Sequence, residues 1–405
     1  MGRHRVWLRM GVSIMLSFLL AHQVDAAGAL LVNGMGQPLR WDTTKPVPFN
    51  PDQGPLGLLE NAEAVALITR SLGVWGDVAT SVITFEDTGA LPFDVTASNF
   101  RDVILACNNG LSPIVFDTDG SIIDLLLGIG SANRVLGFAG PKCGAFEPPV
   151  ITESLAILNG RFIDGEPMPE VSVEDFTAVI IHELGHYFNL DHTQINLREA
   201  LDNDPTNDAG IPTMFPILVN GMEQSMLHLD DQASVSILYS SPDFFSSTGA
   251  IQGQILQSDG ITPFQGANVI ARNTAASLLD AVSNISGALF FPENPGGVPP
   301  AELEGLYEIF GLTPGATYTV EIEAIDSRFV RGSSVGPVDP PASLPGLAEF
   351  WNGENESSDP EVDDPQESVA IPVHSGEIVT EVDIILNRST FPLPPPFPSP
   401  FPFDR

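Results

Sequence analysis

The residues best suited to chemistry lie within eleven positions: His182-Glu183-Leu184-Gly185-His186, followed by Asp191-His192. On an α-helix, residues four apart are separated by about 40° of rotation and one turn of rise, so the imidazoles of His182 and His186 leave one face and can grip one ion. A hydrolytic zinc wants three protein ligands and an open position for water. His192, six residues after His186, supplies the third ligand. Glu183 neighbours His182 and is read as a general base, not as a ligand: it takes a proton from a zinc-activated water attacking a peptide carbonyl and passes it to the leaving amine. His228 and His374 stand apart from this stretch and are expected at the surface.

Those side chains need a helix that starts and stops in the right places. Ser172 can cap its start, with Asp175 three residues on, while Pro167 and Pro169 hold the preceding chain out of helix. For His192 to return to the metal, the helix must end before it, at a residue that tolerates positive φ. Asn189 is placed for that turn, because asparagine comes next after glycine in its tolerance of the left-handed region. Upstream, residues 62–79 have helical spacing, with Trp75 expected in the core, and residues 81–85 read as a strand.

Around this centre the chain divides. Arg3, Arg5 and Arg9 precede an apolar run over 10–20, and Val24-Asp25-Ala26 offers a cleavage site, so residues 1–26 read as an export signal. No later segment is apolar for long enough to span a bilayer, which predicts a secreted protein without a transmembrane anchor. Removing the signal takes three Arg and one Asp from 16 basic and 52 acidic residues, leaving 13 against 51. That balance excludes nucleic acid as a partner, since phosphate binding needs clustered cations. Residues 27–245 mix helical and strand patterns. From Gly249 onward, short β-type runs alternate with turns such as Ser258-Asp259-Gly260 and Thr313-Pro314-Gly315, predicting a β-sandwich over 246–390. Within it, the Pro-, Glu-, Asp- and Ser-rich stretch 335–368 reads as a solvated loop, and the Pro/Phe-rich tail 391–405 as extended chain. The first unit, ending near residue 245, is expected to fold by itself.

Two further groups are legible. Cys107 and Cys143 are the only cysteines, and an even pair in an exported chain predicts one disulfide. Asp117, Asp119 and Asp124 could ligate calcium. A plain Asp-Gly turn at Asp119-Gly120 is the competing reading, because the glycine falls too early for an EF-hand loop and the closing glutamate is missing. Asp202, Asp204 and Asp208 read as a solvated acidic loop.

The run from His182 to His192 resembles the metzincin zinc motif HExxHxxGxxH, with Asn189 in the glycine place. Pro212-Thr213-Met214-Phe215-Pro216 is similar to the Met-turn beneath the zinc of that family. Leu229-Asp230-Asp231, Leu238-Tyr239, Trp75, Ile83-Thr84-Phe85 and Val135-Leu136-Gly137-Phe138-Ala139 look like segments of its matrixin branch, so the likeness spans about residues 38–243. It implies an α+β zincin-type catalytic domain acting on protein or peptide substrates, with zinc as cofactor and Met214 as a structural residue. Phe138 stands where many matrixins carry a histidine for a second zinc, and that second zinc is not carried over. The following unit resembles the carboxypeptidase regulatory-like, transthyretin-like module through Gly253-Gln254-Ile255-Leu256, Gly266-Ala267-Asn268-Val269 and Gly311-Leu312-Thr313. It is an accessory unit that could bind a surface or a substrate. The alternative from another class is a non-catalytic binding protein whose zinc is structural and whose sandwich holds glycan or protein. A retained glutamate at position 183 speaks against it.

Overall fold

The computed structural model describes residues 28–388 apart from 34–35, 168, 288–302, 327–348, 361–362 and 364–366; the export signal and the Pro/Phe tail lie outside the described residues. Among the described residues the chain is mixed α+β, built on three sheets.

The first sheet comprises β1 Val47–Pro51, β2 Phe85–Asp87, β3 Pro113–Asp117, β4 Gly137–Phe146 and β5 Pro149–Asn159, in the order β2-β1-β3-β5-β4. All neighbours are parallel except β4, which runs antiparallel to β5 and forms an edge. β3 is buried along its length, so it reads as an unbroken apolar run. Its period of two still sorts side chains between faces. Ile114 and Phe116 enter one apolar cluster, with Trp75, Phe176 and Leu184, while Val115 enters another, with Phe100, Ile122 and Ile123. The first cluster is closed by α1 Asn61–Gly76 and α4 Val173–Tyr187; the short α2 Arg101–Ile104 and α3 Ser121–Leu127 cover the other face. On α1, buried Ala64, Leu67, Ile68, Leu72 and Trp75 follow the helical stripe.

α1 ends at Gly76, three residues earlier than its apolar spacing suggests, and Asp77 turns the chain. Of the strand expected at 81–85, only Phe85 belongs to β2; Ser81 makes an isolated bridge to Ser240. Pairing with β1 decides this, because Val47 opposes Phe85 and no strand lies opposite Val82.

After α4 come α5 Leu197–Leu201, α6 Gly221–Gln224, α7 Leu229–Leu238 and α8 Phe244–Ser247. The second unit then places β6 Gly249–Leu256 beside β9 Leu306–Leu312, β13 Ile378–Val379 and β14 Ile384–Ile385, and places β10 Thr317–Glu323 among β7 Asn268–Asn273, β8 Ala281–Ile285, β11 Glu349–Phe350 and β12 Ile371–Pro372. Ile251, Ile255 and Ile309 from one sheet share a buried cluster with Val269, Val320 and Ile322 from the other. The described part of the expected solvated loop departs from that reading: it contains β11, and Glu349 and Asp363 within it are buried.

The texture change near residue 245 is not a break in packing. Ala233 of α7 belongs to the apolar cluster of the second unit, and Ile195, in the loop after His192, packs with Ile270 and Ala281. Polar contacts follow the same seam. Asp230 accepts the Ser283 amide at 2.8 Å, and Arg272 donates to Asn196 Oδ1 at 2.5 Å while pairing with Glu321 and Glu323.

Candidate metal centre

α4 begins where its capping signal stands: the Ser172 hydroxyl accepts the Asp175 amide at 3.0 Å. One turn apart near its other end, His182 and His186 point into a common space. The chain then reverses through Asn189, whose φ is 82°, and brings His192 back. The three Nε2 atoms lie 3.0–3.2 Å from one another. Around a tetrahedral zinc with bonds of about 2.0–2.1 Å, imidazole nitrogens lie about 3.3–3.4 Å apart, so the triangle fits one such ion with only slight opening.

The second nitrogen of two rings is committed elsewhere. His182 Nδ1–H donates to the Thr213 carbonyl at 2.8 Å and His186 Nδ1–H to the Leu190 carbonyl at 2.7 Å. Those bonds select the tautomer whose Nε2 carries a lone pair, so acceptors converge with no donor of their own between them. Burial pushes the imidazoles of His182 and His186 down to about 4 and about 3, the neighbouring His182 adding to the effect on His186, and burial holds His192 well below its ordinary value. All three are thus neutral near pH 7, as ligation requires. The three histidines form a group that could hold a metal ion, and nothing in the donor set conflicts with zinc.

Glu183 lies beside this triangle, buried, with Oε2 lacking a hydrogen-bond partner; burial pushes its carboxyl up to about 8. Gly137 on β4 lets the carboxylate sit there: a β-carbon at that position would come within 3.0 Å of Glu183 Cγ. The edge of β4 and the segment Phe215–Leu218 wall a cleft of about 410 Å³ that includes Glu183 and the three histidines.

Asn189 does more than turn the chain. Its Nδ2 donates to the carbonyls of Leu31 and Leu39 at 3.0 and 2.7 Å, and its Oδ1 accepts the Leu31 amide at 2.8 Å, fastening the segment near the start of the described chain under the centre. Glycine could make the turn but none of these bonds.

Met214 is fully buried against Gly185 of α4, in a turn held by Asp231. The two carboxylate oxygens of Asp231 accept the amides of Thr213 and Met214 at 3.0 and 2.9 Å. Since the Thr213 carbonyl orients His182, this buried carboxylate is a positioning residue for the centre. Residue type alone does not announce it: two adjacent acids at a helix start read as ordinary capping. His228, expected as an isolated surface residue, is instead half-buried at the cap of α7, donating its amide to the same Asp231 at 2.8 Å.

The remaining expectations divide. Cys107 and Cys143 form the disulfide. Asp117, Asp119 and Asp124 are not brought together as a ligand set. Asp117 accepts the amides of Ile122 and Ile123, Asp119 that of Ser121, and Asp124 those of Gly130 and Ala132, so each carboxylate fastens a local turn. Asp202 and Asp204 are exposed as expected, whereas Asp208 is buried.

Among the described residues, no helix is long and apolar enough to cross a membrane. Compared with models of protein families and with curated proteins, the chain finds no match in either.

Proposed function

We propose that the protein is a zinc-dependent endopeptidase of the metzincin type, closest to the matrixin branch, and that it acts on protein or peptide substrates after export. The observation that carries this reading is the convergence of three neutral imidazoles at 3.0–3.2 Å beside a buried, unpartnered Glu183 oxygen in an open cleft. When bound, zinc supplies a Lewis acid that acidifies water and polarises the scissile carbonyl.

The chain supplies the rest. β4 is an edge strand on the cleft wall, and its free backbone groups suit an extended peptide laid along them. Glu183 accepts the proton from the attacking water and returns it to the leaving amine. Burial pushes its carboxyl up to about 8, so without a metal it keeps its proton at pH 7, and a dication beside it would draw the value down to where the carboxylate can accept one. A purely structural zinc has no use for such a base.

Glu183→Gln keeps the side-chain size and all three ligands. Turnover of a peptide library is expected to fall by about 10²–10⁴ while zinc content and melting temperature stay put. An active wild type matched by the variant would place the base elsewhere. A wild type that binds zinc and cleaves nothing would favour the binding-protein reading.

A further inference from the structure

We propose that the second unit binds a calcium ion through Glu349, Glu356 and Asp363, a site separate from the histidine centre and from the Asp117 turn. One carboxylate oxygen from each of these residues lies within 4.8 Å of the others. Calcium–oxygen bonds of about 2.4 Å place ligands on opposite sides of the ion about 4.8 Å apart, so the three oxygens can share one ion of that size. The donor set is all oxygen, which selects a hard cation over zinc.

Three acids are common on surfaces, but these are not at the surface. Glu349 is 2% and Asp363 3% exposed, and Glu356 is half-buried. The ion pairs among the described residues lie elsewhere, on Lys142, His228 and Arg272. Gathering carboxylates away from water without a counter-charge is costly.

Two oxygens at this place also lack donors. Asp363 Oδ2 and Asn387 Oδ1 are buried without a hydrogen-bond partner, and Asn387 is 8% exposed. Asn387 is seated on the cluster: its amide and Nδ2 donate to the two oxygens of Glu349 at 2.8 and 2.9 Å. Glu356 accepts the amides of Asn352 and Ile385 at 2.9 and 2.8 Å, and Asn352 Nδ2 donates to Asp363 Oδ1. These bonds fix the carboxylates in place, and each oxygen still has a lone pair for a metal. Burial pushes the carboxyls of Glu349, Glu356 and Asp363 up; repulsion from neighbouring acids adds to the effect on Glu349 and Glu356, whereas the contact with Glu349 draws Asp363 back down. A surface depression lined by Trp351, Glu356 and Asp383 reaches the rim of the cluster at Glu356. Ligation would join β11 and the loop after it to the chain around β14.

The test uses the full mature chain with zinc kept saturating, dialysed free of calcium and titrated with radioactive calcium by equilibrium dialysis in the presence of magnesium. One saturable calcium per chain is expected. Glu349→Gln with Asp363→Asn should weaken it by at least about tenfold, and Asp119→Asn should leave it unchanged. Melting gives an independent reading. Calcium should raise the wild-type melting temperature, whereas the double variant, relieved of repulsion, should melt no lower than calcium-free wild type and ignore calcium. Glu356→Gln, at the half-buried rim, gives the same binding test should the double variant fail to fold. No saturable site in the wild type, or a folded variant that binds as the wild type does, would overturn the proposal.

Discussion

Met214 fills the space that a side chain on Gly185 would need: a β-carbon built on Gly185 would lie 2.4 Å from Met214 Sδ and 3.1 Å from the Trp75 ring. The helix carrying two of the histidines thus rests on the turn below it through the one residue without a side chain. Gly185→Ala gains about 1 kcal/mol of helix propensity, but overpacking costs about 1–3 kcal/mol, and the clash should win. The variant is expected to melt lower and to hold zinc less tightly, with part of the loss recovered on adding Met214→Ala. Calorimetry and zinc titration check this; an unchanged melt would mean that the turn moves freely.

Asn189 separates two reasons for a residue. Asn189→Gly keeps the positive φ and loses three side-chain hydrogen bonds, an expected cost of about 2–3 kcal/mol. Asn189→Ala should cost about 1 kcal/mol more through backbone strain. Denaturant melts of both variants would decide, and a neutral glycine variant would reduce Asn189 to a turn residue.

A chain ended near Ser246 loses the partners of Ala233, Ile195, Asn196 and Asp230. In contrast to the expectation of independent folding, such a truncated chain should be poorly soluble and melt well below full length. Circular dichroism on both proteins tests it. Equal melting temperatures would show that the seam contributes little.

pH provides a fourth check. Glu356 titrates near 7 in the folded chain because of burial, above its ordinary value of about 4.5, and burial also raises Glu349 and sets Asp230 at about 7. Between those values these acids hold more protons folded than unfolded, so their contribution to stability is highest on the acid side and falls as pH rises through about 4.5 to 7, while the three histidines, held below their ordinary value, contribute with the opposite sign. Calcium should flatten that fall. Melts from about pH 5 to 8 of the wild type and of Glu356→Gln, with and without calcium, isolate the share of that acid, and a calcium-free wild type that gains stability over the variant as pH rises would refute the sign.

The centre itself was legible because helical spacing is a local property. A step of four from His182 to His186, a cap at Ser172 and an asparagine at 189 determine where three rings go, and the structure brings those rings together. What surrounds them was not legible. Asp231 is 17 residues from Met214, and its role depends on a fold-back that no local pattern encodes. The acids Asp117 and Glu349 look alike in sequence. One spends its oxygens on the amides of its own turn, and the other lies in a buried acid cluster with Asp363, a difference made by tertiary packing alone. The strand expected at 81–85 slipped for the same reason, since β pairing is decided by the neighbour.

An unpaired strand edge also invites unwanted company, because any other sheet can add to it. β4 is divided against that hazard. Its far half carries Pro141, a break in register between Pro141 and Cys143, the bond from Cys143 to Cys107, and a cap where Asn33 Nδ2 donates to the Phe146 carbonyl. The stretch of Gly137–Gly140 beside the histidines precedes these breaks and is regular. A short extended segment has room to align there, while a long flat edge from a second molecule would run into the distorted half, so the same strand that invites a peptide discourages aggregation.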